Sequence, residues 1–425
     1  MLQISVIKEN PDWVKERLGI RNFMQLELVD EIIKIDAQNR INKQIFEGNK
    51  SNINNFSNKI GILKQQIDKD EDEVQKLKLK VEFFKAQQDS LKEEMKESEK
   101  KLLATLLQLP NLPSEKVPAG KTPEDNEVIR QIENKLQLPA DALPHWELAK
   151  KYNLIDFELG TKITGSGFPL YIAQGAKLQR ALIQYFLAYN TAAGYKEYLP
   201  PFMVNEASAF ATGQLPDKEG QMYFVTQDNF YLIPTAEVPV TNIYRDTILK
   251  EDDLPVKMTA YSPCFRREAG SYGKDVRGLN RVHQFEKVEI IQIVKPELSY
   301  DVLEEMVAHV EKLLQSLELP YRILKLCGGD MGFASALTYD FEVYSAAQKR
   351  WLEVSSVTNF ESFQTNRLKC RFKDGNGKAQ LAHSLNGSSL ALPRIMAALL
   401  ENNQSENGIL LPLIMQKYFE EMIIK

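Results

Sequence analysis

The sequence predicts an α+β protein in which an antiparallel helical hairpin precedes a body of strands and helices. Two long runs of apolar residues at alternating spacings of four and three predict the hairpin. Two strands joined by a loop within residues 260–293 predict part of a sheet. No GxGxxG or P-loop pattern opens a helix in the 425 residues, which argues against a doubly wound nucleotide-binding fold.

The composition is that of an ordinary globular protein. Apolar residues make up 43% of the chain and charged residues 26%, and the length predicts two or three domains. The net charge of −5 excludes a general basic surface, so any nucleic-acid site has to be a local patch. No apolar run approaches the ~18 residues of a membrane span, and the start of the chain lacks a signal or transit pattern. We therefore expect a cytoplasmic protein without membrane attachment.

Cysteine and histidine usage argues against disulfides and zinc. The three cysteines, Cys264, Cys327 and Cys370, are scattered and odd in number, which favours a reducing compartment. No CxxC or HExxH spacing occurs among the three cysteines and four histidines, so we expect no zinc site.

The two apolar runs define the hairpin. Their seam positions, most of which are apolar, are Leu28, Ile32, Ile35, Asn39, Asn42, Phe46, Asn49, Ile53, Phe56, Ile60, Leu63 and Ile67 in the first run, and Val74, Leu77, Val81, Phe84, Gln88, Leu91, Met95, Ser98 and Leu102 in the second. Residues 68–72 are polar and separate the runs, so we expect two helices of roughly 60 Å each, packed as an intrachain coiled coil. The asparagines at seam positions weaken the packing but fix its register.

A proline-rich stretch follows the hairpin and predicts a linker. Pro110, Pro113, Pro118 and Pro123 occur without hydrophobic periodicity. The chain then divides into an N-terminal domain at 1–109 with its arm at about 27–107, a linker at 110–127 and a body at 128–425. Before the arm, Asn10 followed by Pro11 predicts the start of a short helix.

The loop within residues 260–293 is cationic. It carries Arg267, Lys274, Arg277 and Arg281 beside Arg266, which closes the first strand, and Gly270, Gly273 and Gly278 punctuate it. These cations are suited to clamp a polyphosphate, although a surface hairpin with a basic turn is the favoured explanation of the loop when it is taken alone. On the strand that follows, alternation places His283, Phe285, Lys287 and Glu289 on one face, with Phe285 and Glu289 roughly 13 Å apart.

Two further polar clusters have the chemistry of binding sites. Thr235 and Glu237 lie two residues apart on an apparently extended chain and offer acceptors to an ammonium group, although Thr235 is also a good helix cap. Glu353, Ser355 and Ser356 lie on the second of two strands within residues 341–357. They are hard oxygen donors of the kind that Mg²⁺ accepts, or simply satisfied side chains at a strand end.

An amphipathic helix is predicted at Gly175–Asn190. Its aromatic stripe, Tyr185, Phe186 and Tyr189, recurs at helical spacing and looks exposed, although core packing explains the helix well enough. Gly194 ends the helix before a short strand with Pro200 and Pro201.

The pattern FRRE…GLNRVHQFEKVE closely resembles motif 2 of the class II aminoacyl-tRNA synthetases, in the form found in seryl-tRNA synthetases. Residues 175–203 resemble motif 1, YLIPTAEVP resembles the serine-binding TxE segment, and HSLNGSSLALPRIMAALLENNQ resembles motif 3. The resemblance implies a catalytic domain with an antiparallel β-sheet flanked by helices. It also implies activation of L-serine with ATP and Mg²⁺, and transfer of serine to tRNA(Ser); whether tRNA(Sec) is a substrate stays open.

The resemblance assigns roles to individual residues. Arg266 and Arg281 are the catalytic residues it implies: Arg266 would bridge the α-phosphate and the serine carboxylate, while Arg281 would hold the distal phosphates. The implied ATP-binding set is Arg266, Arg267, Glu268, Val282, Phe285, Glu353, Val354, Ser355, Ser356 and Arg394, with Glu353 and Ser356 also holding Mg²⁺. The implied serine-binding set is Thr235, Ala236, Glu237, Arg266, Glu289 and Ser388.

The family also implies partners. Its N-terminal hairpin holds the long variable arm of the tRNA, which suggests a role for Lys50, Lys59, Lys64 and Lys69, although these lysines also fit a solvated helix face. Motif 1 implies a homodimer. In motif 3 the family usually carries glycine before the arginine, whereas Pro393 stands here after an Asn386–Gly387 turn, so we expect the helix to start late or to kink.

Three rival functions have to be weighed. A relative that passes an activated amino acid to a carrier protein would not need the long arm, and the threonyl enzyme is expected to hold its amino acid on zinc. A coiled-coil scaffold with an inactive body would not need intact Arg266, Glu268, Arg281, Glu289 and Glu353.

Overall fold

The computed structural model describes residues 1–65, 70–132, 138, 142–269 and 277–425. It divides the chain into two compact units. The helical unit comprises Leu2–Gly19 and Phe23–Pro110, and the sheet unit comprises Met1, Ile20–Asn22 and Asn111–Lys425. The stretch interpreted as a linker thus falls largely in the sheet unit, where Asn111 is buried and donates to the carbonyls of Ala334 and Phe360, both at 2.9 Å.

The helical unit consists of two short helices followed by two long ones. The bounds are α1 Ile4–Glu9, α2 Pro11–Ile20, α3 Glu27–Gln65 and α4 Glu71–Leu106. The long helices have 39 and 36 residues, about 58 and 54 Å at 1.5 Å per residue, and they pack against each other. The predicted helical hairpin is confirmed, and α2 begins at the predicted proline.

Polar side chains pair across the seam between α3 and α4. Asn49 donates to Gln87 Oε1 at 2.9 Å, and Gln88 donates to the carbonyl of Phe46 at 3.2 Å. Farther out, the rings of Phe56 and Phe84 stack with centroids 6.0 Å apart. The side chains of Asn49 and Gln88 are therefore partnered and help to fix the register of the hairpin, whereas Asn39 Oδ1 is buried without a hydrogen-bond partner.

The lysines assigned to the arm lie on its surface where the structure describes them. Lys50, Lys59 and Lys64 are exposed on α3, whereas Lys69 lies outside the described residues. Within the described parts of the chain, no helix is long and apolar enough to cross a membrane.

The sheet unit alternates short helices with strands. Its helices are α5 His145–Lys151, α6 Phe157–Ile163, α7 Ala173–Ala192, α8 Glu206–Thr212, α9 Glu237–Thr241, α10 Ser299–Ser316, α11 Ser362–Leu368 and α12 Leu392–Asn402. Its strands are β1 Glu127–Ile132, β2 Ile155–Asp156, β3 Leu170–Tyr171, β4 Lys196–Tyr198, β5 Met203–Asn205, β6 Phe224–Val225, β7 Phe230–Leu232, β8 Ile248–Lys250, β9 Val256–Phe265, β10 Gln284–Val294, β11 Tyr321–Lys325, β12 Leu337–Ser345, β13 Arg350–Glu361, β14 Arg371–Lys373, β15 Ala379–Leu381, β16 His383–Ala391, β17 Gln404–Ser405, β18 Gly408–Leu410 and β19 Ile423–Ile424.

One large sheet organises this unit. Within the described ranges it has eight strands in the order β1-β11-β12-β13-β16-β10-β9-β4, and every pair except β4–β9 is antiparallel. Helices α7, α10 and α12 pack against it and contribute to one large apolar core. The predicted antiparallel sheet flanked by helices is confirmed.

Two local predictions were wrong. Asn386 and Gly387 form no turn but lie inside β16, because that strand is held between β10 and β13, where Gly387 pairs with Ile290 and Val357. A Cβ on Gly387 would approach Val357 Cγ2 to 3.0 Å, so the glycine serves close packing instead of a turn.

The aromatic stripe of α7 is also not exposed as expected. Tyr185 is 4% exposed and Phe186 is fully buried, because α10 and the C-terminal segment cover them. The Tyr185 ring lies 5.3 Å from that of Tyr418, and its hydroxyl lies 2.5 Å from Ser316 Oγ. The core-packing interpretation of this helix is the correct one.

Candidate active site

The β9–β10 hairpin supplies the framework of the site. Phe265 pairs with Gln284, and the Arg266 N–H donates to the carbonyl of His283 at 2.9 Å, so the pairing extends to the base of the cationic loop. On β10, Lys287 Nζ lies 2.6 Å from Glu289 Oε2, as expected for side chains that share one strand face. Residues 270–276 of the loop, including Gly270, Gly273 and Lys274, lie outside the described residues.

A cavity of about 520 Å³ opens beside this hairpin. It brings together most of the residues predicted from sequence, namely Thr235, Glu237, Arg266, Glu268, Arg281, Val282, Phe285, Glu289, Glu353, Val354, Ser355, Ser356, Ser388 and Arg394. A larger adjoining cavity of about 1030 Å³ shares Glu237, Arg281, Glu353 and Ser356 with it. Two predicted residues do not line either cavity: Ala236 is buried behind the wall, and Arg267 is exposed while its N–H donates to the carbonyl of Gln221.

One end of the cavity is flat and cationic. The Arg266 guanidinium lies over the Phe285 ring, 5.2 Å from its centroid, and Arg266 Nε donates to the carbonyl of Pro234 at 3.4 Å. Arg281 forms an ion pair of 3.1 Å with Glu268. This combination of an aromatic face and two guanidinium groups suits a purine base followed by phosphates.

The other end is anionic and mostly buried. Glu289 pairs across the sheet with Ser388, whose hydroxyl lies 3.5 Å from Glu289 Oε2, and Thr235 donates to the same oxygen at 3.3 Å. The prediction of an extended chain through Glu237 was wrong, because Ala236 has helical backbone angles and α9 starts at Glu237. The Glu237 N–H donates to Thr235 Oγ1 at 3.2 Å, so Thr235 both stabilises this turn and faces the cavity.

The environment of Glu237 sets its charge. Burial, together with the neighbouring charge of Glu289, raises the pKa of the Glu237 carboxyl to about 7. Gln364 opposes this shift by donating to Glu237 Oε1 at 2.6 Å, and so does the charge of Lys287. Neither Gln364 nor Lys287 was among the site residues predicted from sequence. Strand alternation could have identified Lys287, whereas nothing local marks Gln364, which lies on α11.

A β-bulge places the oxygen donors on one face. Phe341 pairs with Ser355 while Glu342 pairs with Glu353, so Val354 is the extra residue on β13. Three residues apart on a regular strand, Glu353 and Ser356 would face opposite sides; the bulge turns both toward the cavity. Ser355 instead donates to the carbonyl of Ser388 at 2.6 Å.

Asp340 was not among the residues predicted from sequence. It pairs with Ser356, whose hydroxyl donates to Asp340 Oδ1 at 2.6 Å and lies 3.4 Å from Glu353 Oε1. Burial and the charge of Glu353 raise the pKa of Asp340 well above its usual range. Among the described residues, no group of three or more His, Cys, Asp or Glu side chains is arranged to hold a metal ion.

Arg394 is held over the cavity from the side of α12. Pro393 lies in the first helical turn, where a missing N–H costs no helix hydrogen bond, so the expected late start or kink does not occur. Arg394 donates to the carbonyl of Glu353 at 2.7 Å and to that of Asn280 at 3.1 Å. The arginine is therefore fixed by backbone acceptors from two other elements.

Comparisons with known proteins agree with this geometry. The profile of the tRNA synthetase class II core domain (G, H, P, S and T) matches residues 223–403, and that of the seryl-tRNA synthetase N-terminal domain matches residues 1–113. The chain is 48% identical to the serine–tRNA ligase of Salinibacter ruber, over 96% of this chain and 95% of that protein. It is 45% identical to the serine–tRNA ligase of Methylacidiphilum infernorum, over 99% of both chains.

Solved structures give the same result. The seryl-tRNA synthetase of Pyrococcus horikoshii complexed with ATP superposes with a TM-score of 0.92 at 33% identity, covering 100% of this chain and 99% of that one. The match covers both units of the chain. The chain therefore belongs to the seryl-tRNA synthetase family of class II aminoacyl-tRNA synthetases.

Proposed function

We propose that the protein is a serine–tRNA ligase, which activates L-serine with ATP and transfers the seryl group to tRNA(Ser) with a long variable arm. One observation carries the proposal. A single cavity has one end suited to a nucleotide and another suited to an ammonium group, and Arg266 lines the same cavity with its guanidinium over Phe285. The family to which the chain belongs supports the reaction, and the exposed lysines of α3 support the nucleic-acid partner.

In the first step the serine carboxylate attacks the α-phosphate of ATP. A bond forms between the carboxylate oxygen and phosphorus, the bond to the β-phosphate oxygen breaks, and pyrophosphate leaves. A carboxylate is already a nucleophile, so no residue has to act as a general base. Arg266 bridges the two reacting groups, Arg281 neutralises the distal phosphates, and the adenine stacks between Phe285 and Arg394, with Glu268 on its amino group.

Serine is recognised at the anionic end. Thr235 and Glu237 accept hydrogen bonds from its ammonium group, while Glu289 and Ser388 bind its hydroxyl. Lys287 pairs with Glu289 and so neutralises one of the two buried carboxylates. The negative charge that remains suits a single added cation, the ammonium group of serine.

The oxygen donors on β12 and β13 fit Mg²⁺. This ion prefers one or two carboxylates together with phosphate oxygens and water, and Glu353 and Ser356 offer such a set. Burial first and the charge of Glu353 second raise the pKa of Asp340, and a bound cation would offset the repulsion between these two carboxylates. When bound with ATP, the ion supplies charge neutralisation at the phosphates.

In the second step a ribose hydroxyl at the 3′ end of the tRNA attacks the seryl carbonyl, and AMP leaves. We assign residues 1–109 to tRNA binding through the arm at about 27–107, 110–127 to a linker and 128–425 to catalysis. Lys50, Lys59 and Lys64 contact the RNA backbone, as does Lys69. The protein acts in the cytoplasm as a homodimer formed through the motif 1 region, for which the resemblance is the support.

The test is ATP–pyrophosphate exchange across the amino acids, followed by charging of tRNA. We expect exchange with serine far above that with alanine or threonine, and stable seryl-tRNA only with long-variable-arm tRNA. Serine-dependent exchange without any charging would favour transfer to a carrier protein, and no exchange with any amino acid would favour a scaffold.

A further inference from the structure

A buried histidine lies directly behind the base of the cationic loop. His145, the first residue of α5, is fully buried, and its Nε2 accepts a hydrogen bond from the Leu279 N–H at 2.8 Å. Gly278 is packed against the same ring, with φ of +65°, and a Cβ there would come within 2.3 Å of Nε2. The segment that carries Arg281 into the cavity therefore starts at a contact with this imidazole.

The other nitrogen of the ring is held by a buried carboxylate. Glu401, near the end of α12, accepts from His145 Nδ1 at 2.7 Å and from the His145 N–H at 3.0 Å through the same oxygen, Oε1. Its second oxygen accepts from Ser345. Burial alone would raise the pKa of Glu401, but the hydrogen bonds from His145 and Ser345 outweigh it and lower the pKa.

These contacts fix the tautomer of the ring. A carboxylate can only accept, so Nδ1 is the ring donor to Glu401, and Nε2 accepts from the backbone N–H of Leu279. Glu401 therefore orients the ring with its acceptor nitrogen toward Leu279.

The same short segment also holds the arginine of α12. The carbonyl of Asn280, next to Leu279, accepts from Arg394 Nε at 3.1 Å, and the Asn280 side chain donates to Gln348 Oε1 at 2.9 Å. Gln348 in turn donates to Glu401 Oε1 at 3.1 Å. Displacing the backbone at Leu279 would thus move Arg281 and Arg394 together.

We propose that His145, oriented by Glu401, is a positioning residue that holds the base of the cationic loop in its ATP-binding geometry. The inference rests on the proposed ATP-binding role of Arg281 and Arg394. None of the His145 contacts described above involves a residue of the anionic end. Losing the His145–Leu279 hydrogen bond should therefore weaken ATP binding and leave serine binding unchanged.

Two substitutions at this position separate its two hydrogen bonds. His145→Asn keeps a donor near Nδ1 for Glu401 but has no acceptor for Leu279, whereas His145→Gln places an amide oxygen near Nε2. A buried donor left without an acceptor is expensive, so His145→Asn should raise KM for ATP by on the order of tenfold. KM for serine should stay within about twofold, and His145→Gln should recover most of the loss.

The readout that does not depend on catalysis is amide hydrogen exchange at Leu279 in the full-length protein without substrates. We expect that amide to exchange on the order of tenfold faster in His145→Asn than in the wild type, and His145→Gln to restore its protection. His383→Asn is the matched control, because His383 is partly buried and its Nδ1 lies 2.9 Å from Ser299 Oγ, away from the loop. It should change neither the Leu279 amide nor KM for ATP.

Unchanged exchange at Leu279 with an unchanged KM for ATP in His145→Asn would overturn the proposal, and so would equal rises in KM for ATP and serine. If His145→Asn does not fold, Gly278→Ala provides a second test, because the added methyl group would push the loop backbone away from the His145 ring. It should produce the same selective rise in KM for ATP. A wild-type protein without serine-dependent pyrophosphate exchange would refute the proposed function, yet the Leu279 amide would still report on His145.

Discussion

Serine binding should depend steeply on pH, because the carboxyl of Glu237 has a pKa of about 7 in the empty pocket. The cause is burial first and the charge of Glu289 second, opposed by Gln364 and Lys287. A protonated carboxyl cannot pair with the ammonium group of serine, so the binding-competent pocket is the ionised one. The pKa is raised, so serine affinity should rise as the pH increases through 7 and fall as it decreases.

The size of the effect follows from the ionised fraction. With a pKa of about 7, roughly one tenth of Glu237 is ionised at pH 6 and roughly nine tenths at pH 8. The apparent Kd is the intrinsic Kd divided by the competent fraction, so Kd for serine should fall about tenfold over this range. By linkage, serine binding at pH 7 should release about half a proton.

Isothermal titration calorimetry at pH 6, 7 and 8, repeated in buffers of different ionisation enthalpy, measures both quantities. Glu237→Gln is the control: it should abolish the pH dependence and weaken binding at pH 8 by on the order of 10- to 100-fold, the loss of a charge-assisted hydrogen bond. A Kd for serine that changes by less than twofold between pH 6 and 8 in the wild type would refute the reasoning. An equal pH dependence in Glu237→Gln would assign the proton to another group.

Three further predictions concern the cavity and the arm. Arg266→Ala should lower serine-dependent pyrophosphate exchange by at least about 10²- to 10³-fold, because one guanidinium serves both reacting groups. Arg267→Ala removes an exposed neighbour and should lower exchange far less. Comparable losses in the two variants would contradict the assignment. Glu289→Gln should lower the serine-to-alanine ratio of kcat/KM at least tenfold, since a site built to bind a hydroxyl rejects the analogue that lacks it. KM for ATP should stay within about threefold of the wild-type value. An unchanged ratio would show that Glu289 does not determine specificity for serine. Reversing the charges of Lys50, Lys59 and Lys64 together should leave pyrophosphate exchange unaltered and reduce the log–log salt slope of tRNA binding by about 0.7–0.9 per lost phosphate contact; an unchanged slope would leave these lysines on a merely solvated face.

The sequence by itself determined the features that depend on local periodicity. The heptad runs of α3 and α4 predict a hairpin because burying a seam every three or four residues is possible only on helices. Alternation on β10 predicts that Phe285, Lys287 and Glu289 share a face, which the 2.6 Å ion pair between the last two confirms. The motif resemblance was equally local, since it depends on residues that follow one another along the chain.

The tertiary structure decided whatever depends on how distant segments pair. The bulge at Val354 and the pairing of Gly387 inside β16 follow from the register with neighbouring strands. The free energy of that pairing depends on both strands and cannot be read from either segment alone. The raised pKa of Glu237 exists only because sheet and helices together exclude water from it. His145 and Glu401 are 256 positions apart in the chain. Only the folded core brings them within hydrogen-bond distance, and it is burial in that core that makes a partner necessary for each polar group.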